Sequence, residues 1–308
     1  MSRKPDAGLT RSALSKTMRL AALAPPLLLT ACNWAVLDPK GFVGASDVTI
    51  LIDSVIIMLA IVVPTIVATL AFAWWFRASN TRAVHRPDFF YSGRIEMVVW
   101  GIPLLVIMLL GGVAWIGSHE LDPAAPLPGD KQPLEIQGVS LDWKWLFIYP
   151  NQHVATVNQL MLPVGVPIHF SLSSGSVMTA FFVPQLGSMI YTMNGMVTRL
   201  NLRADDAGTY YGEASHFSGD GFSDMHFDVH ALPPDQFAAW VKSAQGAGQT
   251  LDAASYGTLA KQGVPSAPTT YGAVEPALFQ QIATQKLPPG PGPDTGRPNA
   301  TVSPRTSQ

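Results

Sequence analysis

Residues 210–225 read YYGEASHFSGDGFSDM, and what this stretch is built to hold decides how the chain folds. Gly212, Gly219 and Gly221 permit tight backbone geometry, while serines, acids and one histidine crowd between them. It closes on Met225, a soft thioether, but contains no cysteine. It has the spacing of a ligand-bearing loop without a strong set of ligands.

On either side lie short runs rich in β-branched and aromatic residues: PLEIQGV, DWKWLFIYP, HVATVN, VPIHFSLSS, VMTAFFVP, MVTRLNLRA and MHFDVHA. Gly, Pro, Asn and Ser punctuate them at strand-like intervals with no helical pattern between, so residues 118–232 are expected to form an all-β sandwich. PPDQFAAWVKSAQ and EPALFQQIATQ carry helical spacing, which assigns 233–286 to a C-terminal helical segment. The Pro- and Gly-rich 287–308 is expected to be a disordered tail.

The first third of the chain is of a different kind. Residues 48–76 and 95–117 are each long and apolar enough to cross a bilayer, joined by a loop at 77–94 with four arginines against one acid. The positive-inside rule places that loop in the cytoplasm and both outer ends of the hairpin in the periplasm. Upstream, a basic region and about a dozen apolar residues end at Leu29-Thr-Ala-Cys32, which resembles a lipoprotein signal peptide covering 1–31. Cys32 is then the lipidated first residue, and 32–47 a periplasmic lead-in. The chain is therefore a multi-pass protein of a bacterial inner membrane, in contact with membrane lipid.

The bulk composition agrees. The 308 residues are 48% hydrophobic and 13% charged with a net charge of −2, which excludes a nucleic-acid footprint. One cysteine excludes an internal disulfide and any site needing two thiolates from this chain.

This order of parts resembles subunit II of the haem-copper terminal oxidases. The motifs carrying the likeness are E96MVVWGIP103, LDWKWLFIYP at 141–150, SVMTAFFVPQLG at 176–187 and the opening stretch. The resemblance implies a two-helix hairpin followed by a cupredoxin-like sandwich. In members that bind a binuclear copper centre, two His, two Cys, one Met and a Glu carbonyl hold the metal. The corresponding places here are Thr179 and Phe222 for His, Ala214 and Ser218 for Cys, His216 for Glu, and Met225, which alone keeps its type.

Together with QLGSMIYTMNGMVTRL, that pattern resembles the quinol oxidases of bo type. It implies oxidation of ubiquinol with reduction of O2 to water and proton pumping, with haems and copper in partner subunit I and no cofactor or cytochrome c bound by this chain. Further small membrane subunits are implied as partners. No catalytic residue is expected here, and the sequence leaves ubiquinol and menaquinol both open. A second class is a lipid-anchored, cupredoxin-like partner-binding protein outside any oxidase; the hairpin argues against it, because a lipid anchor needs no second membrane attachment.

Among single residues, Glu96 at the start of the second span has two readings, an interfacial carboxylate or, as the resemblance implies, the mouth of a proton pathway. His226, Asp228 and His230 alternate with Phe227 and Val229 and suit a solvated strand face. Trp143 and Trp145, flanking Lys144, suit packing or partner contact.

Overall fold

The computed structural model describes residues 35–84, 86–265 and 267–290. Residues 35–37 form a single 3-10 turn in a small N-terminal unit, and the chain from Pro39 onward forms a second unit, to which everything below refers.

Two long helices open this unit: α1 (Phe42–Trp75, 34 residues) and α2 (Gly93–Glu120, 28 residues). At about 1.5 Å per residue both exceed the hydrocarbon thickness of a bilayer. Nearly all their apolar side chains are exposed in the isolated chain, as a lipid- or partner-facing hairpin requires. The helices meet closely where Gly117 packs on Ile50; a Cβ on Gly117 would lie 2.7 Å from the isoleucine side chain.

α1 begins at Phe42, six residues before the apolar run suggests, because its first turn is packed against protein. Val43 is buried in the sandwich core, the Gly44 amide donates to the Leu186 carbonyl (3.0 Å), and the Lys40 amide donates to the Gln185 carbonyl (2.7 Å). The Ser188 hydroxyl donates to Asp47 (2.7 Å), and Gly41 lies so close to the Arg203 carbonyl that no side chain fits. The lead-in expected over 32–47 is thus partly a helical turn docked onto the sandwich.

The β domain has two sheets. The larger has the strand order β12-β3-β2-β1-β5-β8, formed by β1 (Leu134–Leu141), β2 (Lys144–Tyr149), β3 (Val154–Val157), β5 (Ile168–Ser174), β8 (Thr198–Leu202) and β12 (Thr269–Tyr271). The smaller has the order β4-β10-β9-β6-β7, formed by β4 (Gln159–Pro163), β6 (Thr179–Phe182), β7 (Ile190–Thr192), β9 (Gly208–Ala214) and β10 (His226–Leu232). β1 runs parallel to β5 and β10 parallel to β4, with the remaining pairs antiparallel. Between the sheets, Trp145, Phe147, Phe170, Phe181 and Phe227 form one aromatic cluster, with neighbouring ring centroids 5.0 Å apart for Phe147–Phe227 and 5.3 Å for Phe170–Phe181. Aromatic pairs at such separations add to their burial energy.

The remainder of the chain corrects the purely helical expectation for 233–286. It forms α3 (Pro234–Gln245), β11 (Thr250–Leu251), α4 (Ala253–Leu259), β12, β13 (Ala273–Val274) and α5 (Leu278–Ala283). β12 pairs with β3 and extends the larger sheet, and β11 and β13 form a small ladder of their own. The helical periodicity of α3 and α5 was visible, but two- and three-residue strands carry no period to detect.

This segment covers the outer face of the larger sheet. A second apolar cluster joins Val139, Leu141, Leu146 and Ile148 to Leu251, Tyr256, Leu278, Phe279 and Ile282. β2 is consequently buried along its whole length: odd-numbered aromatics face the inter-sheet core, while Leu146 and Ile148 face the C-terminal segment. The first residues of the expected tail, 287–290, are packed instead. Leu287 packs on the second cluster, and the Gly290 amide donates to the Gly175 carbonyl (2.7 Å). Residues 291–308 lie outside the described residues.

Candidate functional site

The loop pair singled out in the sequence converges at one end of the sandwich. Thr179 opens β6, Ala214 ends β9, and His216, Ser218, Phe222 and Met225 lie on the connection from β9 to β10. Thr179, Ala214, Ser218 and Met225 are all buried, at 1%, 4%, 6% and 2% exposure. Their polar groups pair with one another. The Thr179 hydroxyl donates to the His216 carbonyl (3.0 Å), and the Ser218 hydroxyl lies 3.7 Å from the Met225 sulfur. The Ala214 amide donates to the Met225 carbonyl (3.0 Å), and the Ser215 amide to the Ala180 carbonyl (3.1 Å). Phe222 packs at the edge of the core, edge-on to Phe217. The His216 ring meets Tyr191 edge-on, centroids 5.7 Å apart.

As donors for a metal this set is poor. It offers one thioether, one imidazole, two hydroxyls and a carbonyl, with the hydroxyls already spent inside the loop. Ala214 and Phe222 contribute no donor atom. A binuclear copper site rests on thiolates that bridge the ions, and nothing here has that chemistry.

The glycines have a packing explanation. Gly221 faces the Trp143 ring, and a Cβ there would lie 2.3 Å from the indole; one on Gly212 would lie 2.2 Å from Phe227. Only Gly219, at φ +107°, needs glycine for its backbone angle.

Trp143 is the counterpart of this loop. It sits in the two-residue turn between β1 and β2 at φ +66°, a left-handed conformation costly for a bulky side chain. Its indole is buried on Gly221 and donates to the Ser218 carbonyl (3.1 Å), which holds the turn. Trp143 and Trp145 are therefore both packing residues, against the loop and the aromatic cluster respectively.

Sequence reasoning missed what Lys144 does. It is on the face of β2 opposite Trp145, 6% exposed, and its ammonium donates to the carbonyls of Leu259 (2.9 Å) and Lys261 (2.7 Å) at the end of α4. Burial pushes it down from the ordinary 10.5 to about 8, partly opposed by the neighbouring Asp142 carboxylate, which also accepts from the Ser176 hydroxyl. The signal was a lysine inside an unbroken apolar run with no polar alternation.

The remaining residues fall in separate places. His226 and Asp228 are exposed and His230 half-exposed along β10, with Phe227 and Val229 buried between, as period two requires. Glu96 lies in the first turn of α2, exposed, accepting from the Trp100 indole (2.9 Å) one turn on. Among the described residues no three His, Cys, Asp or Glu side chains gather as metal ligands. Cys32 lies outside the described residues.

Comparison with known proteins fits this geometry. Residues 134–232 match the family model for the periplasmic domain of cytochrome c oxidase subunit II, and 245–289 match the COX aromatic-rich motif, which corresponds to the segment covering the outer sheet face. The cytochrome bo(3) ubiquinol oxidase subunit 2 of Pseudomonas aeruginosa is 45% identical over 268 residues, 87% of this chain and 81% of that one. The chain belongs to the family of subunit 2 of the bo-type ubiquinol oxidases. The ubiquinol oxidase subunit 2 of Acetobacter aceti is 46% identical over 88% of this chain and 89% of its own. A Bacillus cereus protein named quinol oxidase subunit 2 is 32% identical over 82% of this chain and 88% of its own. Membership makes the two long helices the membrane anchor of a subunit in a larger oxidase.

Lys144 gives a pH signature. A lysine with a depressed folded-state value binds fewer protons folded than unfolded between pH 8 and 10.5, so its burial cost is present in full below pH 8 and is relieved as pH rises. The stability of the wild type relative to Lys144→Met is expected to rise across pH 8 to 9.5, read as the difference in urea midpoint of the two full-length chains in detergent. Tyrosine ionisation is common to both and cancels. A pH-independent difference would mean that Lys144 keeps an ordinary proton affinity.

Proposed function

We propose that this chain is the copper-free second subunit of a proton-pumping ubiquinol oxidase. The complex oxidises ubiquinol and reduces O2 to water at haems and copper held by subunit I. This chain binds no cofactor, does not dock cytochrome c, and serves assembly, stability and proton entry alongside subunit I and further small membrane subunits. The carrying observation is the donor set at 179 and 214–225: no thiolate is present, the Thr179 and Ser218 hydroxyls point to the His216 carbonyl and the Met225 sulfur, and the His216 imidazole, its Nδ1 buried without a hydrogen-bond partner, is the one strong donor left. Ubiquinol is favoured by identities of 45% and 46% to relatives named for that quinol, against 32% to one named only for quinol.

On this reading Thr179, Ala214, His216, Ser218, Phe222 and Met225 are the former ligand places of a copper site. The hairpin crosses a bacterial inner membrane twice, with the N-terminus and β domain in the periplasm and residues 77–94 in the cytoplasm. Co-purification with a haem-bearing subunit tests membership of an oxidase against a free-standing lipid-anchored binding protein. Cys32 is the lipidated N-terminal residue; mass spectrometry of the mature protein should find no residue before it and a diacylglyceryl mass on its sulfur. An intact Met1 or a free Cys32 thiol would refute this.

Glu96 is the proton-entry group. A carboxylate at this depth is costly unless it is hydrated or hydrogen-bonded, and the Trp100 indole holds it at the start of α2. Glu96→Gln should slow turnover by roughly an order of magnitude, the effect of about 1.4 kcal/mol on a barrier, with haem content and assembly unchanged. Glu96→Asp should be milder. Wild-type turnover of Glu96→Gln across the pH range would leave the residue an ordinary interfacial acid.

The loop makes the copper prediction. The wild-type chain should take up no stoichiometric copper. The combined variant Thr179→His, Ala214→Cys, His216→Glu, Ser218→Cys and Phe222→His should bind it and turn purple, if the frame holds the ligands within about 0.5 Å of productive geometry. Tight copper in the wild type, or none in a well-folded variant, would each contradict it.

A further inference from the structure

We propose that the cleft at the loop end of α1 binds the headgroup of an anionic phospholipid, Arg82 and Arg86 taking the phosphate and Trp75, Phe76 and Phe89 packing on the glycerol and upper acyl chains. The cleft measures about 650 Å³ and is lined by those five residues and Val84. It lies where the apolar helix ends, so any molecule entering it from the bilayer presents its polar end.

A helix C-terminus alone repels anions, because its last carbonyls point outward. Here the last two carbonyls of α1, those of Trp74 and Trp75, accept from side chains. The Arg77 guanidinium donates to the Trp74 carbonyl (2.9 Å) while lying 4.8 Å over the Trp74 ring, and its Nε donates to Ser79 (2.9 Å). The Asn80 amide donates to the Trp75 carbonyl (2.5 Å), and its oxygen accepts from the Arg82 backbone amide (3.2 Å), turning the chain back toward the helix. Arg77 and Asn80 thus neutralise the helix end and leave the next two arginines for something else.

Arg82 and Arg86 have no carboxylate partner among the described residues; the ion pairs there are Lys40–Asp206 and Arg203–Asp205, both on the β-domain side. A guanidinium fork matches a phosphate's two oxygens, and paired arginines beside a helix end can take one from both sides. The walls choose the occupant. Phe76, Val84 and Phe89 are 60%, 70% and 59% exposed, an apolar lining that suits a lipid's hydrocarbon and would be wasted on free phosphate. Basic pockets at this level of a membrane protein are suited to anionic headgroups.

The inference rests on the hairpin being embedded in the membrane, which alkaline carbonate extraction tests separately: a chain released by carbonate removes that premise. The direct test uses the whole oxidase complex reconstituted in phosphatidylcholine with spin-labelled phosphatidylglycerol or spin-labelled phosphatidylcholine. The wild type should immobilise phosphatidylglycerol in excess. Arg82→Gln with Arg86→Gln should lower that association by about fivefold per arginine and leave phosphatidylcholine unchanged. Arg82→Lys with Arg86→Lys should retain part of the excess, since charge persists without the fork. Equal phosphatidylglycerol excess in wild type and the glutamine variant would overturn the proposal. Loss of another subunit from that variant with lipid selectivity intact would overturn it too, assigning the arginines to an acidic protein segment.

Discussion

The β domain is organised around a backbone conformation that Trp143 would not adopt unaided. At φ +66° the residue turns β1 into β2 within two residues, and the strain is held by its indole donating to the Ser218 carbonyl and lying flat on Gly221. Residues flanking this turn do separate jobs as a result: Trp145 enters the aromatic core between the sheets, and Lys144 enters the opposite layer to hold the end of α4. One turn therefore fixes the β9–β10 connection, the inter-sheet core and the C-terminal segment relative to each other.

That arrangement accounts for a loop that keeps its shape in the absence of a strong metal-binding set. Here the frame is held by a ring stacked on a glycine, by amide-to-carbonyl bonds between residues 214 and 225 and between 215 and 180, and by hydroxyls turned inward. Each is a modest contribution, and together they satisfy the buried Thr179 and Ser218 hydroxyls while leaving the His216 Nδ1 buried without a partner.

Much of this was legible in the sequence. The two apolar runs, the strand punctuation and the loop pair located the hairpin, the sandwich and the cluster, because each carries a period or a spacing that a single chain displays. Helix starts were less legible: nothing in GFVGAS announces that Val43 faces protein while the exposed apolar run begins only at Leu51. The third layer was hidden for a different reason. KWLFIY reads as one apolar strand whichever surfaces it meets, and its second partner arrives from residues more than a hundred positions away. Lys144 in that run was the one residue whose polarity needed a distant explanation. Gly221 was noticed for its conformational freedom, whereas its function lies in having no side chain beneath Trp143.

The pairing of β12 with β3 has a consequence in time. Until Thr269–Tyr271 arrives, β3 presents a free row of amides and carbonyls at the margin of the larger sheet, open to pairing with another chain. Its partner is synthesised roughly 110 residues later, an interval on the order of ten seconds at ordinary elongation rates. The nascent sandwich passes that interval with this margin unsealed, and truncation before Thr269 would leave the four-residue β3 as an unpaired edge.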